Sequence, residues 1–140
     1  MPSYFSAIQL ALGMLFIGHT TSLIVLHLAK AGKVTADLLL GAAAAYLLLG
    51  LFFMFLYGLL IKFDLTAFNN IDSPVDIMYF SYTTLTTLGY GDITPVSPLA
   101  KSFSILQAVV GVLFSAILVA RLVGLYLATG GDSQSVKKLP

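Results

Sequence analysis

Residues 83–92 read "TTLTTLGYGD". The stretch lies between apolar segments long enough to cross a bilayer. Two glycines, a tyrosine and an aspartate are poor material for a membrane helix. Their presence at this place asks what the backbone, rather than the side chains, is there to do.

Composition sets the frame. Of 140 residues, 59% are hydrophobic and 9% are charged, against roughly 25% charged in soluble domains. Mean hydropathy is +0.98. A soluble fold of this size could not hide that much apolar surface, so the chain reads as an integral membrane protein. A net charge of +1 and a single short basic pair, Lys137–Lys138, give no nucleic-acid footprint. The absence of cysteine excludes disulfides, thiolate metal sites and thiol nucleophiles. The N-terminus lacks the basic region of a signal peptide, and its apolar run is too long for one.

Three long apolar segments follow: Tyr4 to Ala29, Ala36 to Ile61, and Leu99 to Ala128. A hydrocarbon core of about 30 Å takes about 20 helical residues, so each is long enough to span. Thr35 is placed to cap the second, with Asp37 in its first turn. Ser97 is placed to cap the third, with Pro98 at its first helical position. The end, "GGDSQSVKKLP", reads as a short polar tail without fixed structure.

Charge orients the spans. Lys30 and Lys33 separate the first two segments, and Lys137 and Lys138 follow the third, with Arg121 in its last turns. Asp64, Asp72, Asp76 and Asp92 outnumber Lys62 and Lys101 between the second and third. By the positive-inside rule that middle stretch faces outward and the C-terminus is cytoplasmic. The polar patch "GHTTS" (18–22) leaves the first segment with two readings, a span or an interfacial helix. If it spans, the N-terminus is outside.

The middle stretch contains "DSPVDIMYFSYTTLTT". Ser73 is a cap, Pro74 a first helical residue, and Asp76 a first-turn anion. About a dozen residues cannot cross a bilayer; they suit a re-entrant helix ending near Thr86. The chain must then return as non-helical backbone, which is tolerated at membrane depth only inside protein or beside a wet cavity. The glycines of "TLGYGD" permit such a path. Consecutive carbonyls could then face one way and coordinate a cation.

Thr84-Leu85-Thr86-Thr87-Leu88-Gly89-Tyr90-Gly91, extended by Asp92, resembles the T-x-x-T-x-G-Y-G signature of the potassium channel pore. "YFSYTTLTTLGYGDITP" followed by "ARLVG" is particularly similar to prokaryotic potassium channels of the two-helix pore class. The likeness covers about 100 residues, from the second segment to the third; the first lies outside it. It implies an all-α membrane protein with an outer helix, a re-entrant pore helix, a selectivity filter and an inner helix, preceded here by one additional hydrophobic helix. The division is an N-terminal helix and basic loop over 1–33, a pore domain over 34–128, and a short polar cytoplasmic tail over 129–140.

The resemblance also implies roles. Four identical chains surround one axis, and K+ is held by carbonyl oxygens of Thr87, Leu88, Gly89 and Tyr90 with the Thr87 hydroxyl, and by Gly91 outermost. Elementary geometry agrees that one strand cannot encircle an ion, so an oligomer is required and a closed ring is its natural symmetry; that the ring takes three further identical subunits is what the resemblance implies. Tyr90 braces the filter against the pore helix. Leu88 stands where valine or isoleucine is commoner. Thr84 supports the filter. Asp92 bonds an aromatic of the pore helix in relatives, often tryptophan; here Tyr79 holds the matching place. Thr83 stands where some relatives carry glutamate, so no glutamate–aspartate pair forms.

On the third segment Val112, Ser115, Val119 and Val123 recur at helical spacing and form one cavity-lining face. The Ser115 hydroxyl has two readings, cavity water or its own helix. Gly111 aligns with the family's hinge glycine, against close helix contact as the plain reading. Arg121 points away from that face, to snorkel or to pair with Asp37. His19 and His27, eight residues apart, cannot chelate one metal unaided. No glutamate, phosphate loop or catalytic triad points to an enzyme, and no organic cofactor is implied.

The expected function is passive, potassium-selective conduction in the plasma membrane, with the filter mouth outside. A weakly selective cation channel, or a membrane assembly protein without its own pore, are the alternatives. No arginine ladder precedes the second segment, and the tail is too short for a ligand-binding domain, so the regulatory partner and gating stimulus stay open.

Overall fold

A computed structural model describes residues 3–135 of the chain, with side chains over 7–128. Its elements are α1 (Ser3–Lys30), α2 (Ala36–Phe63), β1 (Phe68–Asn69), α3 (Pro74–Leu85), β2 (Thr94–Pro95) and α4 (Pro98–Ser135). Three helical stretches are long and apolar enough to cross a membrane: Ala7–Lys30, Ala36–Phe63 and Pro98–Ala128. The chain is thus a mostly helical membrane protein. The one addition is a two-residue antiparallel ladder, pairing Phe68 with Pro95 and Asn69 with Thr94.

The caps lie where local chemistry placed them. The Thr35 hydroxyl accepts from the Leu38 N–H at 3.2 Å, and the Ser97 hydroxyl from the Ala100 N–H at 3.2 Å. At α3 the Ser73 hydroxyl and the Asp76 carboxylate satisfy each other's backbone N–H, with Pro74 opening the helix. α4 does not stop at Ala128 but runs through 129–135 to Ser135. No proline interrupts the ladder between Pro98 and Pro140, so the polar tail starts as helix. Lys137 and Lys138 lie outside the described residues.

α1 runs antiparallel along α2. Gly58 lies beside Leu10, Gly13 beside the Phe55 ring, Gly18 beside the Phe52 ring, and Gly41 beside Leu28. Small residues let the helices approach, which is how helices associate where lipid removes the hydrophobic driving force. The helix follows α2 from end to end. The hydroxyls of "GHTTS" bond back to their own helix: Thr20 to Phe16 O, Thr21 to Ile17 O and Ser22 to Gly18 O, at 2.7–2.9 Å.

Two clusters hold the helices together. At the end where α3 begins, Phe53, Tyr57, Ala67, Phe68, Phe80, Ile93 and Ala100 are buried. The Tyr57, Phe68 and Phe80 rings meet edge-on with centroids 5.1–5.3 Å apart. At the other end Leu28, Leu38, Ala42 and Ala45 pack against Phe114, Leu118 and Leu122 of α4. α3 sits between, wedged against α2 and α4.

Candidate ion-conduction site

α3 has 12 residues, about 18 Å of helix. It cannot cross a bilayer, and "TTLGYGD" (86–92) follows its last residue, Leu85. Its position is fixed by side chains on both spanning neighbours. The Ser81 hydroxyl donates to Gly50 O on α2 at 2.7 Å. The Tyr82 hydroxyl donates to Leu47 O at 2.8 Å, and its ring covers Gly50, where a Cβ would fall 2.5 Å away. The Tyr46 hydroxyl reaches the last α3 carbonyl, Leu85 O, at 3.1 Å. Gln107 of α4, fully buried, donates to both Ser81 oxygens.

Past Thr86 the strand folds back under its own helix. The N–H groups of Leu88 and Gly89 both donate to Thr83 O, at 2.8 and 3.2 Å. Every peptide is trans, so the C=O of each unit points opposite to its N–H. The Thr87 and Leu88 carbonyls therefore face away from α3. φ is positive at Thr87 (59°), Gly89 (52°) and Gly91 (82°), and not at Leu88 or Tyr90. Left-handed φ thus alternates with ordinary φ along the strand, a pattern that tends to aim successive backbone groups the same way. Glycine adopts this freely at 89 and 91. Thr87 is β-branched and adopts it against its preference, the kind of strain found at functional sites. Thr84 supports the bend through its carbonyl, which accepts from Thr87 N–H at 3.1 Å. The Thr87 hydroxyl donates to Thr86 O at 2.6 Å, which leaves its lone pairs free to accept. Residues 86–92 are all exposed in the single chain.

Tyr90 lies flat against Tyr79 of α3, ring planes 2° apart and centroids 6.4 Å apart. Asp92 lines a shallow hollow with Asn70, Asp76 and Tyr79. Burial first, and the Asp92 carboxylate after it, push the Tyr79 hydroxyl above the usual phenol range. The Asp92 backbone is tied down by a residue sequence reading missed: Asn70 Nδ2 donates to Asp92 O at 2.7 Å. Asn70 holds a positive φ of 60°, and an asparagine in a turn was its only signal.

Below the strand, Thr86, Thr87, Leu85, Gly111, Val112 and Ser115 line one hollow with Tyr46. Val112, Val119 and Val123 are exposed on α4. Val119 also borders a second hollow between α2 and α4. Ser115 bonds back to Gly111 O at 3.1 Å, the plainer of its two readings. Gly111 is pressed against Leu85: a Cβ built there would collide with the Leu85 carbonyl oxygen. Arg121 turns to the end of α1 and the loop after it rather than to Asp37. Its Nη2 donates to Ala29 O at 2.5 Å and Ala31 O at 2.9 Å. A cation at the carbonyl end of α1 is favourable, since those carbonyls have no helical partner. Among the described residues no group of three His, Cys, Asp or Glu could hold a metal. The oxygens the strand presents are the Thr87 and Leu88 carbonyls and the Thr87 hydroxyl.

Comparison with known proteins agrees in kind. Residues 41–127 match a family model described as "Ion channel". The chain is similar to "Two pore potassium channel c" of Oryza sativa subsp. japonica, 48% identical over 52 residues, which is 37% of this chain and 11% of that protein. It is similar to "Two-pore potassium channel 3" of Arabidopsis thaliana, 44% identical over 59 residues, 42% of this chain and 14% of that one. "Two-pore potassium channel 2" of the same plant is 49% identical over 49 residues, 35% of this chain and 11% of that one. The matched part is a small fraction of these relatives' length. No solved structure matches the chain. Since the family match runs from early α2 through α3 and the bent strand to Leu127 of α4, the chain belongs to this family of ion channels.

Proposed function

We propose that the chain is the pore-forming subunit of a potassium-selective channel, conducting passively through a ring of four copies. The observation that carries this reading is the exposed strand after α3: the Leu88 and Gly89 N–H groups turn to Thr83 O, so the Thr87 and Leu88 carbonyls turn away from α3. The relatives' names supply the ion. The Thr87, Leu88, Gly89 and Tyr90 carbonyls, with the Thr87 hydroxyl, replace the hydration shell of K+, and Gly91 offers the outermost carbonyl. Neutral oxygens in several adjacent positions hold a monovalent cation loosely enough for it to leave. Four strands around an axis close the cage, by the ordinary symmetry of ring oligomers.

The other parts take supporting roles. Tyr90 stacks on Tyr79, which faces Asp92 and steadies the mouth. Gly111, Val112, Ser115 and Val119 form the cavity wall and the bending region of α4. The lysine distribution supports a filter mouth facing outward and a cytoplasmic C-terminus, and the plasma membrane is the location this reading takes. The test is flux and reversal potential with purified protein in liposomes under mixed K+ and Na+. The expected result is strong K+ preference, lost with Gly89→Asp. Equal passage of both ions would make it a weakly selective channel, and no flux in a correctly assembled protein would make it a partner of some other pore.

A further inference from the structure

The spanning helices are almost wholly apolar, yet one fully buried polar pair crosses between them and α3. Ser81 and Gln107 are each 0% exposed. Gln107, on α4, uses its whole amide. Its Nε2 donates to Ser81 O at 2.9 Å and Ser81 Oγ at 2.8 Å. Its Oε1 accepts from the Tyr57 hydroxyl of α2 at 2.6 Å. The Ser81 hydroxyl in turn donates to Gly50 O of α2 at 2.7 Å. α2, α3 and α4 are thus pinned at one point by four satisfied bonds. Packing alone, for which any apolar residue of that size would serve, does not call for an amide here. Burying one costs free energy unless its bonds are made, and a satisfied buried network fixes one arrangement.

What that arrangement fixes is the height of α3. Ser81 is two residues before Thr83, whose carbonyl holds the N–H groups of Leu88 and Gly89. One helical turn past Gln107, Gly111 meets the Leu85 carbonyl. α4 therefore touches α3 at two successive turns, and the strand hangs from the same segment of α3. We propose that Gln107 is a positioning residue for ion selectivity: through Ser81, braced by Tyr57, it sets where α3 stands and so the spacing of the carbonyls at 87–90. This rests on the selective-channel reading above. A shift of α4 is transmitted to the carbonyls through this amide, while the apolar contacts around it can slide.

The experiment uses the full chain reconstituted in liposomes, with reversal potentials in opposed K+ and Na+. The parent is measured first; if it shows no K+ preference, the functional reading fails, separately from this one. In Gln107→Leu we expect assembly and current to persist while the K+ to Na+ permeability ratio falls about tenfold, the scale of one or two buried hydrogen bonds. The paired variant Tyr57→Phe with Gln107→Leu removes both facing groups, a change that is nearly neutral for stability. It carries the test if the single variant does not assemble. Ser81→Ala, which removes only the hydroxyl, should give a smaller fall. Parent-like assembly and thermal midpoint together with a lowered ratio support positioning. An assembled paired variant with the parent's ratio overturns it and leaves the network a packing feature.

Discussion

Gly111 of α4 lies directly against the Leu85 carbonyl of α3, leaving no room for a side chain. The contact joins the inner helix to the end of α3, just before the bent strand. It also gives this glycine a sign test. Gly→Ala inside a helix ordinarily stabilises by about 1 kcal/mol. A methyl group forced onto a backbone oxygen instead costs about 1–3 kcal/mol, as overpacking does. Gly111→Ala should therefore lower the thermal midpoint of the assembled protein in detergent. A raised midpoint would mean that the contact yields easily and that only bending requires glycine there.

Arg121 should hold the end of α1. Replacing it with glutamine removes the cation from the carbonyls of Ala29 and Ala31, at a cost of about 1–2 kcal/mol for a partly buried helix end. Lys30 ends α1 and Lys33 lies in the loop after it, so trypsin reports on this junction. Arg121→Gln should be cut there faster than the parent. Arg121→Lys should fall between, because an ammonium lacks the fork that serves two carbonyls at once. Equal cutting rates in all three would show that α1 is held by its contacts with α2 alone.

What could be read in the sequence was whatever is local. Ser73, Pro74 and Asp76 make a cap within four residues, and the fold repeats it bond for bond. The glycines at 89 and 91 announce a backbone that leaves the ordinary region of φ. The three spanning helices follow from apolar length. What stayed hidden joins residues far apart in the chain. Arg121 meets carbonyls some ninety positions earlier, and a backbone acceptor leaves no mark in the sequence. Gln107 and Ser81 look like stray polar residues until the helices meet. Asn70 resembles any turn asparagine until it bonds Asp92. The Phe68–Asn69 ladder is too short for alternation to show.

Acid should loosen the start of α3. The Asp76 carboxyl is held below its ordinary range by the Asp72 N–H first, then by the Ser73 hydroxyl and N–H. A carboxylate whose pKa is depressed on folding stabilises fully above its unfolded value of about 4, and that contribution fades as pH falls through the lower folded value. The parent's thermal midpoint should thus drop as the pH falls below about 4. Asp76→Asn should start lower at neutral pH and show a shallower acid limb. Parallel limbs would assign the acid loss to other carboxylates.

Tyr79 faces two neighbours, and a conservative change separates them. Tyr79→Phe keeps the ring against Tyr90 and removes the hydroxyl beside Asp92. If the hydroxyl steadies the filter mouth, this variant conducts but its K+ current declines faster during sustained opening. Unaltered current decay would leave the stack as the whole of the residue's role.

The last contrast isolates backbone shape from space. A Cβ added to Gly89 or to Gly124 meets nothing within 4 Å. Crowding within the chain is therefore no objection to alanine at either place. They differ in φ: Gly89 sits at 52°, while Gly124 lies within α4. Alanine at Gly124 should stabilise by about 1 kcal/mol and leave conduction alone. Alanine at Gly89 costs about 1–2 kcal/mol in a left-handed conformation. The strand escapes that cost by rotating the peptide, which turns a carbonyl off the axis. Gly89→Ala should then retain the parent's helix content and assembly in detergent yet lose most K+ flux. Normal flux in Gly89→Ala would show that a positive φ at this position is not needed to aim the carbonyls.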